Sequence, residues 1–125
     1  MVNIEKYSNN VISPFYCKDR GEIKNLLKSM KCKDKNVVLK FSASWCGPCK
    51  VASDILNKEL DIIRKEGGDI KDILVLEYDV DKDENIASYF KISALPTIIT
   101  YNYGERGNVI SEVTNENVRR LLKEK

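Results

Sequence analysis

Trp45-Cys46-Gly47-Pro48-Cys49-Lys50 stands between two patterned segments. Before it, Val37-Val38-Leu39-Lys40-Phe41 is a nearly continuous apolar run, as expected of a strand buried on both faces. After it, apolar residues recur at helical spacing, with Val51, Ala52, Ile55, Leu56, Leu60 and Ile63 on the expected inner side. A Cys-x-x-Cys at a strand-to-helix junction signals redox chemistry. One helical turn brings the two sulfurs within disulfide reach. The helix's free N–H groups favour a thiolate at its start. Cys46 is therefore the expected attacking thiol, with a pKa below the free value of about 8.5. Cys49 lies a turn deeper and is the expected resolving thiol. Gly47 relaxes the loop backbone, while Pro48 fixes φ and lacks an N–H.

Two other readings compete for this pair: an inert structural pair, or half of a zinc site. Zinc needs two more Cys or His ligands. Cys17 and Cys32 lack ligand-pair spacing, and the chain has no histidine. That absence also excludes histidine-activated nucleophiles. Cys17 reads as a small buried hydrophobe. Cys32, beside Lys31 and Lys33, reads as exposed and mildly reactive.

The 125 residues predict a single domain over residues 1–125, and 42% apolar with 32% charged residues suit a globular chain. Lys and Arg number 21 against 19 Asp and Glu, a net charge of +2, which gives no reason to expect nucleic acid or an anionic membrane as partner. No secretory signal and no membrane-length apolar run is apparent. Four cysteines do not make a disulfide scaffold, so a reducing compartment is expected. The cytoplasm is the expected location, or an organelle if a transit segment was removed, and a monomer is the expected state.

Outward from the motif, the order reads β-α-β-α-β-α-β-β-α. Residues 11–17 offer a strand in which Pro14 argues for an edge or a break. Asp19 with Glu22 forms a capping box for a helix carrying Ile23, Leu26, Leu27 and Met30. The helix after the motif runs to about Glu66, where Gly67-Gly68 stops it. Residues 73–80 form the next strand and 85–90 a short helix. Residues 97–101 form a strand, 102–107 a hairpin turn, 108–113 the returning strand and 115–123 the last helix. Helices between the early strands imply parallel crossovers, and the late hairpin adds an antiparallel edge.

The motif in full, the segment Asp79-Val80-Asp81 and the later Leu95-Pro96-Thr97 together resemble the thioredoxin family over roughly residues 11–123. That resemblance implies an α/β thioredoxin fold with a central mixed β-sheet flanked by helices. It implies protein thiol–disulfide oxidoreduction, with Cys46 attacking a substrate disulfide and Cys49 releasing the product. Trp45 would pack beside the pair. The Leu95–Pro96 bond would be cis and face it, with the Leu95 backbone binding an extended substrate segment. No cofactor would be bound; NADPH would act indirectly, through a flavin-containing thioredoxin reductase. Disulfide-containing target proteins, a peroxiredoxin among them, would be the other partners. The alternatives are a specialised dithiol donor to one enzyme, or a non-catalytic binding protein on the same fold.

The chain also departs from that family. Lys40 stands where a buried Asp is usual, and Glu77 where a Lys is usual, so the pair is exchanged in sign. Each is the only charge within its apolar strand core, and burying either alone is costly. A Lys40–Glu77 ion pair near Cys49 is expected: Glu77 would take the Cys49 proton directly or through water, or Lys40 would stabilise the Cys49 thiolate by its charge, or the pair would be purely structural; independent charges reaching past the sheet edge are the alternative. Asp54 replaces a helix-kinking proline. Ser111-Glu112-Val113-Thr114 lacks the glycine that often flanks the substrate groove.

Overall fold

The computed structural model describes residues 11–15, 19–28, 36–67, 73–82, 84–102 and 105–123. Its elements are β1 (Val11–Phe15), α1 (Arg20–Lys28), β2 (Asn36–Ser42), α2 (Gly47–Lys65), β3 (Ile73–Asp79), α3 (Glu84–Tyr89), β4 (Thr97–Asn102), β5 (Glu105–Ile110) and α4 (Asn115–Leu122). The strands form one sheet in the order β1-β3-β2-β4-β5. β1, β3 and β2 run parallel, while β4 and β5 are antiparallel to their neighbours. This is the mixed sheet flanked by helices that defines the thioredoxin fold.

Side-chain alternation along the strands divides the core in two. Val37, Leu39 and Phe41 of β2 join Leu74, Leu76 and Tyr78 of β3 beneath α1 and α3. Phe41 anchors that layer, its ring 5.8 Å from Tyr78 and 5.3 Å from Phe90. On the other face, Val38, Val75 and Ile98 pack under Leu56 and Leu60 of α2 and Val118, Leu121 and Leu122 of α4. Full burial of each such side chain stabilises the fold by about 1.5–3 kcal/mol before conformational entropy is counted. The same alternation turns Lys40 and Glu77 toward the α2 face, and the parallel register sets them directly side by side.

Local signals set the helix ends. The Glu22 N–H donates to Asp19 Oδ1 at 2.9 Å, one half of the expected capping box. Thr114 caps α4 by accepting from the Asn117 N–H at 3.1 Å. α2 runs unbroken through Asp54, the position without the family's proline. It ends at Lys65 with Glu66 as its C-cap, and Gly67 follows at φ +81°, a conformation that disfavours a Cβ. Gly67→Ala should therefore lower stability by about 1 kcal/mol in urea unfolding. An unchanged midpoint would show that the turn relaxes freely.

Several expected boundaries shift. The described part of the first strand is Val11–Phe15, residues 16 and 17 of the expected strand lying outside the described residues, and its register with β3 breaks between Ile12 and Phe15, around Pro14. It is an edge strand, where a missing N–H is tolerated. The returning strand is Glu105–Ile110 rather than 108–113. Its residues are mostly exposed and show no apolar alternation to read. Its pairing with β4 is irregular between Ile99 and Tyr101. There the buried Thr100 hydroxyl accepts the Asn108 N–H at 2.8 Å, and a Cβ on Gly107 would sit only 2.5 Å from that hydroxyl. Val51, expected on the inner side of its helix, is 58% exposed. It lies beyond the stripe formed by Ala52, Leu56 and Leu60. Cys17, Met30, Cys32 and Gly68 lie outside the described residues.

Candidate active site

β2 delivers the chain to the end of the sheet, and α2 begins there. Cys46 is the N-cap of α2, in extended conformation, and its Sγ accepts the Cys49 N–H at 3.2 Å. The sulfur thus takes up one of the helix's orphan donors, the arrangement that favours a thiolate. Cys46 and Cys49 are joined by a disulfide, with Cα atoms 5.3 Å apart. Both are buried, with Ala43 beside them and Val80 and Leu95 packed against the cluster.

The Leu95–Pro96 bond is cis. Leu95, Ala94 and Ile92 form one wall of an open groove, and Trp45, Cys46 and Pro48 form the other. Trp45 lines this groove beside Cys46 and is 70% exposed. Its indole Nε1–H donates to Asp81 Oδ2 at 2.8 Å. Asp81 is itself placed by a turn in which its N–H donates to Asp79 Oδ1 at 2.9 Å. The hydrogen bond holds the indole Nε1 over Asp81, so the ring stands as a wall of the groove.

Below the disulfide, Lys40 is wholly buried and Glu77 is 22% exposed. Their Nζ and Oε2 lie 3.2 Å apart, so the two charges form the pair expected from sequence. The ammonium also donates to the Cys49 carbonyl at 2.9 Å and to Ser53 Oγ at 2.6 Å. An ammonium has three donors, and these three acceptors take them all. Ser53 Oγ lies 2.9 Å from Glu77 Oε2 and 3.2 Å from the Cys49 carbonyl. Its single proton has a shorter path to the charged carboxylate, the stronger acceptor. Burial pulls the Lys40 ammonium pKa down from its ordinary 10.5, and the neighbouring Glu77 carboxylate acts in the opposite direction.

Sequence reasoning placed Cys46, Cys49, Trp45, Gly47, Pro48, Lys40, Glu77, Leu95 and Pro96 here, and the fold brings them around one helix end. It missed Ser53. The available signal was spacing: Ser53 follows Cys49 by one helical turn and so shares its face. It also missed Glu59, 1% exposed on α2, which Arg119 of α4 grips at 2.9 and 3.3 Å. That pairing raises the Arg119 pKa through its hydrogen bond to the carboxylate. Among the described residues, no cluster of His, Cys, Asp or Glu has metal-site geometry, and no helix is long and apolar enough to cross a membrane.

The thioredoxin family model matches residues 20–124. A thioredoxin from Mycoplasmoides gallisepticum is 30% identical over 106 residues, 84% of this chain and 95% of its own. A thioredoxin from Echinococcus granulosus is 33% identical over 90 residues, 71% of this chain and 77% of its own. Among solved structures, Schistosoma mansoni thioredoxin superimposes with a TM-score of 0.68 at 32% identity, covering 91% of this chain and 94% of that one.

Proposed function

The chain belongs to the thioredoxin family, and from that premise we propose that it reduces disulfides in other proteins. The observation that carries this reading is the Cys46–Cys49 disulfide at the start of α2, opening onto a groove walled by Leu95. Such a disulfide on this fold equips the chain for thiol–disulfide exchange. Reduced, Cys46 attacks a substrate disulfide as the thiolate, and Cys49 displaces the reduced product. An extended substrate segment lies in the groove against Leu95, Pro96 and Trp45. A flavin-containing, NADPH-dependent thioredoxin reductase restores the dithiol. Disulfide-bearing proteins, peroxiredoxins among them, are the oxidants. The protein works as a monomer in the cytoplasm and binds no cofactor of its own.

Insulin reduction tests the proposal. With NADPH and a thioredoxin reductase, this chain should drive NADPH oxidation that depends on insulin. Turnover with a single enzyme partner but not with insulin would instead identify a dedicated dithiol donor. No turnover with either would leave a binding protein.

A further inference from the structure

The Lys40 ammonium touches the residue that must become the second nucleophile, yet all three of its donors point elsewhere. It has no proton left for the sulfur and therefore acts through charge and position. We propose that Lys40 is the positioning residue for the resolving step: fixed on the main-chain carbonyl of Cys49, its ammonium stabilises the Cys49 thiolate, while Ser53 and Glu77 hold it in place. This rests on the disulfide-reductase reading above and adds how the second thiol is activated.

Charged groups approach Cys49 from three elements. Lys40 comes from β2, Glu77 and Asp79 from β3, and Lys50 from α2, while Asp54 of α2 acts on Lys40. Their influence is ranked by contact and by exposure to solvent. Lys40 is hydrogen-bonded to Cys49 itself and wholly buried, so water screens it least. Glu77 is hydrogen-bonded to Lys40 and Ser53 and is partly exposed. Asp79 is also partly exposed, and Lys50 and Asp54 are exposed. The pair is thus a dipole with its positive end toward Cys49. An opposite charge within several ångströms favours the ionised form of a thiol.

A cleft of about 240 Å³ lined by Lys40, Cys49, Lys50, Ser53, Glu77 and Asp79 gives the proton a way out. In the resolving step the Cys49 thiol releases its proton to water in this cleft. The thiolate attacks Cys46 Sγ in the mixed disulfide. The Cys46–Cys49 bond forms and the Cys46–substrate bond breaks. The electron pair leaves on the substrate sulfur, which takes a proton from solvent. The dithiol loses two electrons and the substrate disulfide gains them.

The test titrates Cys49 in a Cys46→Ser background. Iodoacetamide alkylation is followed across pH, and peptide mass analysis separates Cys49 from Cys17 and Cys32. Lys40→Met should raise the Cys49 thiol pKa by a unit or more, slowing alkylation near neutral pH about tenfold. Glu77→Gln, which removes the opposing charge, should not raise it. If Lys40→Met alone fails to fold, Lys40→Met/Glu77→Leu removes both charges and should still raise the pKa. An unchanged or lowered pKa in the folded variant overturns the proposal. The titration needs no substrate, so a protein inert toward insulin would still answer it.

Discussion

Cys46→Ser should reduce insulin reduction by more than about a thousandfold, to the rate seen without protein. Cys49→Ser should fail differently, stopping after the first exchange with substrate covalently held on Cys46. The geometry distinguishes the two. Cys46 caps α2 and lines the groove, whereas Cys49 lies under it against Ala43 and Leu95. A substrate disulfide meets Cys46 first. Without the second thiol nothing displaces the product, and the mixed disulfide persists. Non-reducing electrophoresis with peptide mapping reads this directly. Substrate captured on Cys17 or Cys32 of Cys49→Ser, or on Cys49 of Cys46→Ser, would contradict the assignment, as would residual turnover in Cys46→Ser.

The second large effect concerns stability. Glu77→Leu should destabilise the fold by about 3 kcal/mol, because it leaves a wholly buried ammonium without its counter-charge. The cost sits at the low end of the usual range for a broken buried pair. The Cys49 carbonyl and Ser53 hydroxyl still bind the ammonium, and Glu77 itself is partly hydrated. Lys40→Met/Glu77→Leu should recover most of the loss, since an apolar replacement of both partners leaves no orphan charge. Urea unfolding of the two single variants and the double closes the cycle. Additive losses would mean that the charges are independent.

The pH dependence has a definite sign. Folding lowers the Lys40 pKa below 10.5, so in the window just under 10.5 the unfolded chain binds more protons than the folded one. Stability contributed at this site therefore rises with pH across that window and is flat below the folded pKa. Tyr101, whose pKa burial raises above its ordinary 10.0, acts in the opposite sense as pH passes through 10.0. Comparing wild type with the double variant cancels Tyr101. The wild type should gain on the double variant as pH rises toward 10.5.

The element order, the redox turn and the Lys40–Glu77 contact were legible because each leaves a local mark in the sequence. The Cys-x-x-Cys sits where a strand pattern gives way to a helical one. Lys40 and Glu77 each interrupt an apolar strand, and a buried charge calls for an opposite partner. Ser53 left no such mark, because a serine on a helix is ordinary until the register of β2 with β3 shows what lies beneath it. Glu59 sat at helical spacing between Leu56 and Leu60, but a carboxylate there reads as solvent-facing unless Arg119, sixty residues away, is known to reach it. Val51 misled for the opposite reason: its apolar character outweighed its position beside the stripe. In β5 the turn-like Glu105-Arg106-Gly107 concealed a strand whose register depends on the side chain of Thr100, across the hairpin.

The place of β2 in the sheet has a consequence for how the molecule comes apart. It is bonded along both sides, to β3 and to β4, and all seven of its residues are buried. Amide hydrogens in such a strand should be better protected from exchange than those of the outer strands. Lys40 lies on that strand, and the redox turn follows it after three residues. The dithiol is therefore attached to a strand paired on both sides and not to an edge of the sheet. Fraying of β1 or β5 at the edges of the sheet should leave the geometry around Cys49 in place.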